Sequence, residues 1–437
     1  MKVGFVSLGC SKNLVDTEMT IGLFKKNNYC IVNDPKKADI IVINTCGFIE
    51  SAKEEAINTI LEMAEYKKEN CKYIIAMGCL VQRYREELEK SLPEVDLFIK
   101  YDEYDTIWSQ IDNLINKDII HEKEEDIPFN KLQDRVITTG DNFAYVKIAD
   151  GCNNCCTFCA IPYIRGRFES RPMEDIIEEV KKLAKSGYKE IILIAQDTTK
   201  YGIDIYGKPK LAELLKKLCK IDGIKWIRFL YAYPETIDDK LIKVVKKNEK
   251  ICKYFDIPIQ HISDSVLKRM NRKSNSESIE LLIKKLREKI PNVIIRTTVM
   301  VGFPGETQED FEKLCNFVES AKFDKLGAFA YSKEEGTPAA KLKEQVHPMT
   351  KKARYNKIME IQQKVSEENL NKYIGKQLEV LVEGKTIDGK YYVCRSYMDV
   401  PDIDGLIYLN NSKELKIGDF VKCTIKSSIN EYDLLGE

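Results

Sequence analysis

Hydrophobic and polar positions along this chain follow two periods, one near two residues and one near 3.6. In residues 1–116 the runs KVGFVSL, ADIIVIN and KYIIAM are almost wholly apolar and rich in β-branched residues. Such runs read as parallel strands buried on both faces. The stretch SAKEEAINTILEMAEYKK, between the second and third runs, has helical spacing. The region predicts a doubly wound α/β domain. Residues 117–140 are polar and irregular, with HEKEED and Pro128, and read as a linker. Residues 141–348 repeat the strand–helix pattern six times. The strands are FAYVKIA, EIILIA, WIRFLYA, YFDIPI, NVIIRTTVMVG and KLGAFAY. Helical patterns such as PMEDIIEEVKKLAKSG and SIELLIKKLREKI follow them, and a last helix occupies about 349–371. Closure of a TIM barrel takes eight βα units, so these six predict an open, partial barrel. Residues 372–437 change to short β-rich runs broken by Gly, Asp and Asn, the pattern of a small antiparallel β-barrel.

Charge narrows the function classes. Lys plus Arg and Asp plus Glu number 69 each, so no global field draws the chain to nucleic acid or anionic lipid. No run of apolar residues is long enough to span a bilayer, and no membrane partner is expected. MKVGFVSLGC reads as a strand without a cleavage-site pattern, so the expected location is cytoplasmic. Reducing thiol pools there disfavour structural disulfides. Fourteen cysteines in such a chain point to metal or redox chemistry.

The cysteines sort by position. Cys10, Cys46 and Cys79 each end an apolar strand, in VSLGC, VINTC and IAMGC. Parallel strands end on one rim, and open α/β sheets bind ligands in that rim. Gly9, Gly47 and Gly78 beside them let backbone approach a bulky inorganic group. The alternative is three separate buried thiols. Cys152, Cys156 and Cys159 form C-x3-C-x2-C directly after the first strand of the second α/β region, at the mouth where barrels carry chemistry. Three thiolates on one loop suit a four-iron cluster with one iron left open. Structural zinc wants a fourth ligand, and none of His121, His261 and His347 lies in this loop. Cys155 is a bystander in this reading, because neighbouring residues rarely face one centre. The remaining cysteines read as ordinary thiols.

C-x3-C-x2-C in this context resembles the radical S-adenosylmethionine enzymes. The resemblance implies that the open iron chelates the methionyl moiety and that reductive cleavage yields a 5′-deoxyadenosyl radical. It implies roles for residues at the strand ends. Phe158 lies against adenine, and Gln196 and Asp197 bond the methionine amino group. Arg228 with Tyr231, Gln260 with His261, and Arg296 with the backbone at Gly302 line the cofactor. Gly302, Pro304 and Gly305 equally suit a plain turn, His261 a structural histidine, and Arg228 and Arg296 ordinary ion pairs. In PYIRGRFESRP, Arg165 and Arg171 either hold substrate carboxylates or brace the loop.

Two three-cysteine sets with a small barrel behind them resemble the methylthiotransferase family. The likeness rests on SLGCSKNLVDTE, NTCGFIESAKEE, PIQHISDSVLKRMNR, RTTVMVGFPGET and CRSYMDVPDIDGLIYL, and it covers the whole chain. It implies an N-terminal cluster domain (1–116), a radical domain (141–371) and a TRAM domain (372–437). It also implies two [4Fe-4S] clusters, S-adenosylmethionine and a low-potential electron donor such as flavodoxin or ferredoxin. These strings favour the branch that modifies an aspartate of small-subunit ribosomal protein twelve over the branch that modifies tRNA adenosine. Residues 371–437 hold eight Lys and one Arg against six Asp and five Glu, a net −2 that speaks against a tRNA grip. Asp399, Asp402 and Asp404 are candidate contacts to a basic ribosomal protein, or a solvated loop. An iron–sulfur electron carrier is the remaining alternative, and it would want four protein ligands for each cluster.

Overall fold

In the computed structural model, which describes residues 1–116, 129, 135–410 and 413–437, the apolar runs of the first region form one sheet. Its strands are β1 (Lys2–Ser7), β2 (Cys30–Ile31), β3 (Ile40–Thr45), β4 (Tyr73–Gly78) and β5 (Leu97–Ile99). All pair in parallel in the order β2-β1-β3-β4-β5. Ile40 and Val42 pack with Val15, Phe24 and Ile107 on one face. Ile41 and Ile43 pack with Ala56, Ile60 and Leu88 on the other. Burial on both faces explains why these strands show no polar alternation, and it makes the domain doubly wound as expected. The edge strands β2 and β5 are too short to stand out as periodic runs.

Residues 117–128 and 130–134 of the expected linker lie outside the described residues. The part from 135 to 140 carries no helix or strand and clings to the first domain. There Val136 N–H donates to the Glu18 carbonyl (3.1 Å) and Thr138 N–H to the Glu18 carboxylate (2.7 Å).

All six strands expected of the second region form. They are β6 (Phe143–Lys147), then, past a two-residue ladder of β7 (Ala149–Asp150) and β8 (Glu169–Ser170), β9 (Glu190–Ile194), β10 (Trp226–Phe229), β11 (Tyr254–Gln260), β12 (Ile294–Val301) and β13 (Lys325–Ala330). They form an open arc of two three-stranded parallel sheets, β10-β9-β6 and β11-β12-β13. A single parallel bridge, Ile227 with Ile251, crosses the seam between them. The helix Pro348–Asn371 closes the region, with Ile358, Val365 and Leu370 buried.

The tail is a closed barrel of β14 (Gln377–Lys385), β15 (Tyr392–Ser396), β16 (Ile407–Leu409), β17 (Phe420–Ser428) and β18 (Leu434–Gly436). It is antiparallel as expected except between β16 and β18, which run parallel. The barrel seats on the arc by apolar and ionic contacts. Trp226 meets Phe420 edge to face, with ring centroids 4.8 Å apart. Glu190 receives Arg228 at 2.9 Å and Arg395 at 2.6 Å, all three with fully buried side chains.

Gly78 ends β4 at φ 101°, ψ −160°, a region essentially closed to other residues. A Cβ there meets the Thr45 carbonyl oxygen at 2.6 Å. Gly78→Ala is expected to destabilise the protein by on the order of 2–3 kcal/mol and to displace Cys79, read as a lowered thermal midpoint.

Candidate functional site

The parallel sheet places Cys10, Cys46 and Cys79 at one rim. Cys10 caps the N-terminus of the helix Ser11–Lys26, Cys46 directly follows β3, and Cys79 opens the helix Cys79–Ser91. A Cβ on Gly9 would stand 2.9 Å from the Cys46 sulfur, so the glycine makes room for that thiol. Cys10 lies near both Cys46 and Cys79. Burial pushes the Cys79 thiol up to about 12, against the pull of Arg165. Burial raises Cys46 as well.

The second set sits on the loop after β7. Gly151, at φ 70°, turns the chain, and Cys152 N–H donates to the Gly166 carbonyl at 3.2 Å. Cys152 and Cys156 are buried and Cys159 is half-buried. Burial raises Cys152 and pushes Cys159 up to about 12. The loop is braced by Thr157, which bonds the Met270 and Arg269 carbonyls at 3.1 and 2.8 Å. Cys155 is exposed at φ 52°, and its thiol reaches only the Asn153 carbonyl (3.7 Å).

Burial holds Cys46, Cys79, Cys152 and Cys159 as neutral thiols until a cation draws off their protons, which is the condition of a metal-binding set. Among the described residues no group of three or more His, Cys, Asp or Glu is tight enough for a single metal ion. A four-iron cube takes each thiolate at a separate corner and fits wider sets. All fourteen cysteines are free.

The two sets stand against each other. Cys79 packs with Ala160 and Ile164, so the first domain's rim touches the loop that carries Cys159. Arg165 fastens this contact. Its guanidinium donates to Asp16 (2.8 Å) and Asn13 (2.6 Å) of the first domain and to Asp150 (2.9 Å) of its own. Lys147 reaches the same two carboxylates at 2.6 and 2.8 Å, and Tyr101 donates to Asp150 at 2.7 Å. Burial opposes ionisation of Asp150, but Arg165 and Lys147 hold its carboxyl far below the usual carboxylate range. A second fastening joins Arg83 to the Gly47 carbonyl (2.7 Å) and to Glu334 (3.2 Å).

Several expected cofactor residues gather near the second set. Asn154 donates to Asp197 at 2.9 Å, and Gln196 donates to Asp150 at 2.9 Å while its amide oxygen is buried without a partner. Phe158 packs edge to face with Phe303, beside Gly302 at φ 69° and Gly305 at φ 78°, so these glycines do make a turn. Gln260 ends β11 at φ 68°. Arg296 pairs with Asp256 at 3.0 Å. His261 is fully buried, and its Nδ1 accepts the Ser263 N–H.

For Arg165, Arg171 and Arg228 the structure shows the bracing and ion-pair alternatives, and for the acidic trio the surface reading needs correction. Arg228 is not at the cofactor end; it lies under the barrel, bonded to Glu190 and the Tyr397 carbonyl and stacked on Tyr254. Arg165 faces the interdomain ion cluster, and Arg171 braces its loop through Glu179 and the Lys147 carbonyl, both at 2.7 Å. Asp399 is paired with Lys325 at 2.8 Å, and Asp404 accepts from Tyr254 at 2.7 Å. Only Asp402 of that acidic trio is exposed. A charged residue shows its sign in sequence but not its partner, and Arg165, Asp399 and Asp404 find theirs on another domain. Missed in the sequence were Arg272 and Tyr233, which approach the Cys156 sulfur at 3.9 and 3.6 Å beside a cavity of about 230 Å³. The RMNR string was in view, but nothing in it sets that distance.

Arg165→Met leaves Lys147 as the only cation against the buried carboxylates of Asp16 and Asp150, and a loss of about 3–5 kcal/mol is expected, read by thermal unfolding together with faster proteolysis between the domains. Burial lowers His261 to about 4 from 6.5, so the unfolded chain binds the extra proton between these values. The stability His261 contributes is whole above about pH 6.5 and lost as pH falls toward 4. Melting curves against pH should show the parent falling relative to His261→Asn by up to about 1.4 kcal/mol per pH unit across that window.

Family models match consecutive parts of the chain: uncharacterized protein family UPF0004 over residues 2–100, the radical SAM superfamily over 146–318 and the TRAM domain over 374–437. The chain is similar to ribosomal protein uS12 methylthiotransferase RimO of Alkaliphilus oremlandii (strain OhILAs), 61% identical over 438 residues, which are 100% of this chain and 99% of the relative. The protein of the same description from Thermoanaerobacter sp. (strain X514) is 52% identical over 100% of this chain and 99% of its own. Among solved structures, the radical S-adenosylmethionine methyltransferase TsrM from Kitasatospora setae, with cobalamin and a [4Fe-4S] cluster bound, superposes at TM-score 0.58 and 12% identity, over 77% of this chain and 76% of that one. The cobalamin-dependent S-adenosylmethionine radical enzyme OxsB, with aqua-cobalamin and S-adenosylmethionine bound, reaches 0.51 at 14% identity, over 83% of this chain and 56% of its own. At such identities the likeness is one of fold.

Proposed function

The chain belongs to the family of ribosomal protein uS12 methylthiotransferases, RimO, and within that family we propose that it replaces one hydrogen on the β-carbon of a uS12 aspartate by a methylthio group. It is a radical S-adenosylmethionine enzyme that uses two [4Fe-4S] clusters and S-adenosylmethionine. When bound, these groups supply the hydrogen abstraction and the sulfur that an unactivated carbon requires, having no acidic proton for a base to remove.

The packing of Cys79 on Ala160 and Ile164 is the observation that carries this reading. It sets two incomplete ligand sets on the two sides of one interdomain gap. We assign residues 1–116 to the first cluster, held by Cys10, Cys46 and Cys79, and residues 141–371 to the second, held by Cys152, Cys156 and Cys159. Residues 372–437 are the TRAM barrel. Gln196, Asp197, Phe158, Gln260, Arg296 and the turn at Gly302 bound the S-adenosylmethionine site. The unpartnered Gln196 amide oxygen is free to accept from an ammonium there. Arg272, stacked on Tyr233 at 4.3 Å, places a guanidinium 3.9 Å from the Cys156 sulfur.

Flavodoxin or ferredoxin is the proposed electron donor and the cytoplasm the proposed location. No described helix is long and apolar enough to cross a membrane. Modification of tRNA adenosine is disfavoured by the net −2 of the barrel region. The test is intact mass spectrometry of uS12 from cells with and without this gene. The expected difference is one methylthio group in place of one hydrogen, absent again in a Cys46→Ala strain. Unchanged uS12 with methylthioadenosine in digested tRNA would overturn the assignment.

A further inference from the structure

The buried charges of this protein come in compensated groups. Asp16 and Asp150 meet Lys147 and Arg165. Glu190 and Glu383 meet Arg228 and Arg395. Asp256 and Asp404 meet Arg296, and Asp399 meets Lys325. Arg272, 8% exposed, is met by the Pro258 carbonyl (2.9 Å) and not by a carboxylate, and Lys12 departs further. It is 6% exposed, two residues beyond Cys10 at the start of the helix Ser11–Lys26. Among the described residues no carboxylate lies within 4.0 Å of its Nζ and no hydrogen bond engages it. Asp16, one turn further on, is already bonded through both oxygens. Asp402 is exposed and makes no ion pair of its own among the described residues.

What Lys12 does touch is a ring of the other domain. Its Nζ stands 3.0 Å from the centroid of Tyr231, at the C-terminal mouth of β10. That ring is held firmly. Tyr231 sits at φ 62°, its N–H donates to Asp256 (2.9 Å) and its carbonyl accepts from Thr198 (3.1 Å). A ring face returns about 0.5–2 kcal/mol to an ammonium but does not neutralise it. A buried cation without an anion is costly. The seam between the two domains therefore holds an ammonium group that no carboxylate of the described residues meets.

We propose that Lys12 is a specificity-determining residue that receives the carboxylate of the substrate aspartate on the side of its ammonium away from Tyr231, with the Tyr231 ring backing the ammonium. This rests on the function proposed above. The reacting β-carbon is bonded directly to the carboxylate carbon, so a grip on the carboxylate fixes the reacting atom one bond away. Asparagine fills the same space but leaves the cation uncompensated, and rejection by an unmet buried charge is a strong form of discrimination.

The experiment compares binding of uS12 with its target aspartate, and of uS12 with asparagine there, to the reconstituted full-length enzyme by fluorescence anisotropy. The parent enzyme is expected to prefer aspartate by about tenfold or more. Lys12→Met, with iron content equal to the parent, is expected to bring the two within about twofold, and Lys12→Arg to restore most of the preference. A parent enzyme that modifies uS12 yet binds both forms alike overturns the proposal alone, and this arm stands even if Lys12→Met does not fold. A Lys12→Met enzyme that keeps the preference while its cluster midpoint potential shifts overturns it too, by assigning the charge to the cluster. A parent enzyme that leaves uS12 unmodified removes the function itself.

Discussion

A guanidinium sealed between two domains holds this molecule in working order. Arg165 leaves the second cysteine loop, enters the first domain and meets Asp16, Asn13 and its own Asp150. An ion cluster so deep contributes little as net stabilisation, because desolvation consumes most of the attraction. Its worth is geometric. Each partner is costly to leave unmet, so the domains have one docking pose that satisfies all of them. That pose fixes the separation of the two thiol sets, because Asp150 stands two residues before Cys152 and Asn13 three residues after Cys10. Asn13 also accepts from the Cys79 sulfur at 3.4 Å, which ties the first set to the same cluster.

The positions of the six cysteines were legible because they follow from topology. A run that ends in cysteine three times, in a sheet of parallel strands, delivers three thiols to one rim whatever the side-chain details. The six strands of the arc were legible for the same reason: runs such as IILI and NVIIRTTVMV leave little alternative to a buried parallel strand. The roles of the arginines were not legible. Arg228, Arg165 and Arg171 look alike in sequence, but the first two take a partner far along the chain while Arg171 closes locally on Glu179. Arg228 bonds the carbonyl of Tyr397, and Arg165 bonds Asp16. Asp399 and Asp404 were misread as surface groups for that reason, since Lys325 and Tyr254 meet them from the arc. The seam between β10 and β11 left no trace either, because each strand is as apolar as its neighbours.

The burial that raises Cys79 and Cys159 also shows how the sites are balanced. An apolar setting keeps a bare thiol protonated, whereas cationic neighbours favour the thiolate. Both occur here. Ala160 and Ile164 pack on Cys79, while Arg165 stands 4.0 Å from its sulfur and Arg272 stands 3.9 Å from that of Cys156. One guanidinium beside each set lets an apolar cradle accept a charged inorganic group.

The Arg83–Glu334 pair joins residues 251 positions apart, and Arg165–Asp16 spans 149. Contacts of such reach form late in folding, since long loops must close before they are rewarded. Until then Cys79 lies open on the sheet rim, with neither Ala160 nor Ile164 over it. Docking shuts that approach. Of the first set Cys10 stays exposed in the docked protein while Cys46 and Cys79 are buried, so once the halves have joined the first site is reached from the Cys10 side.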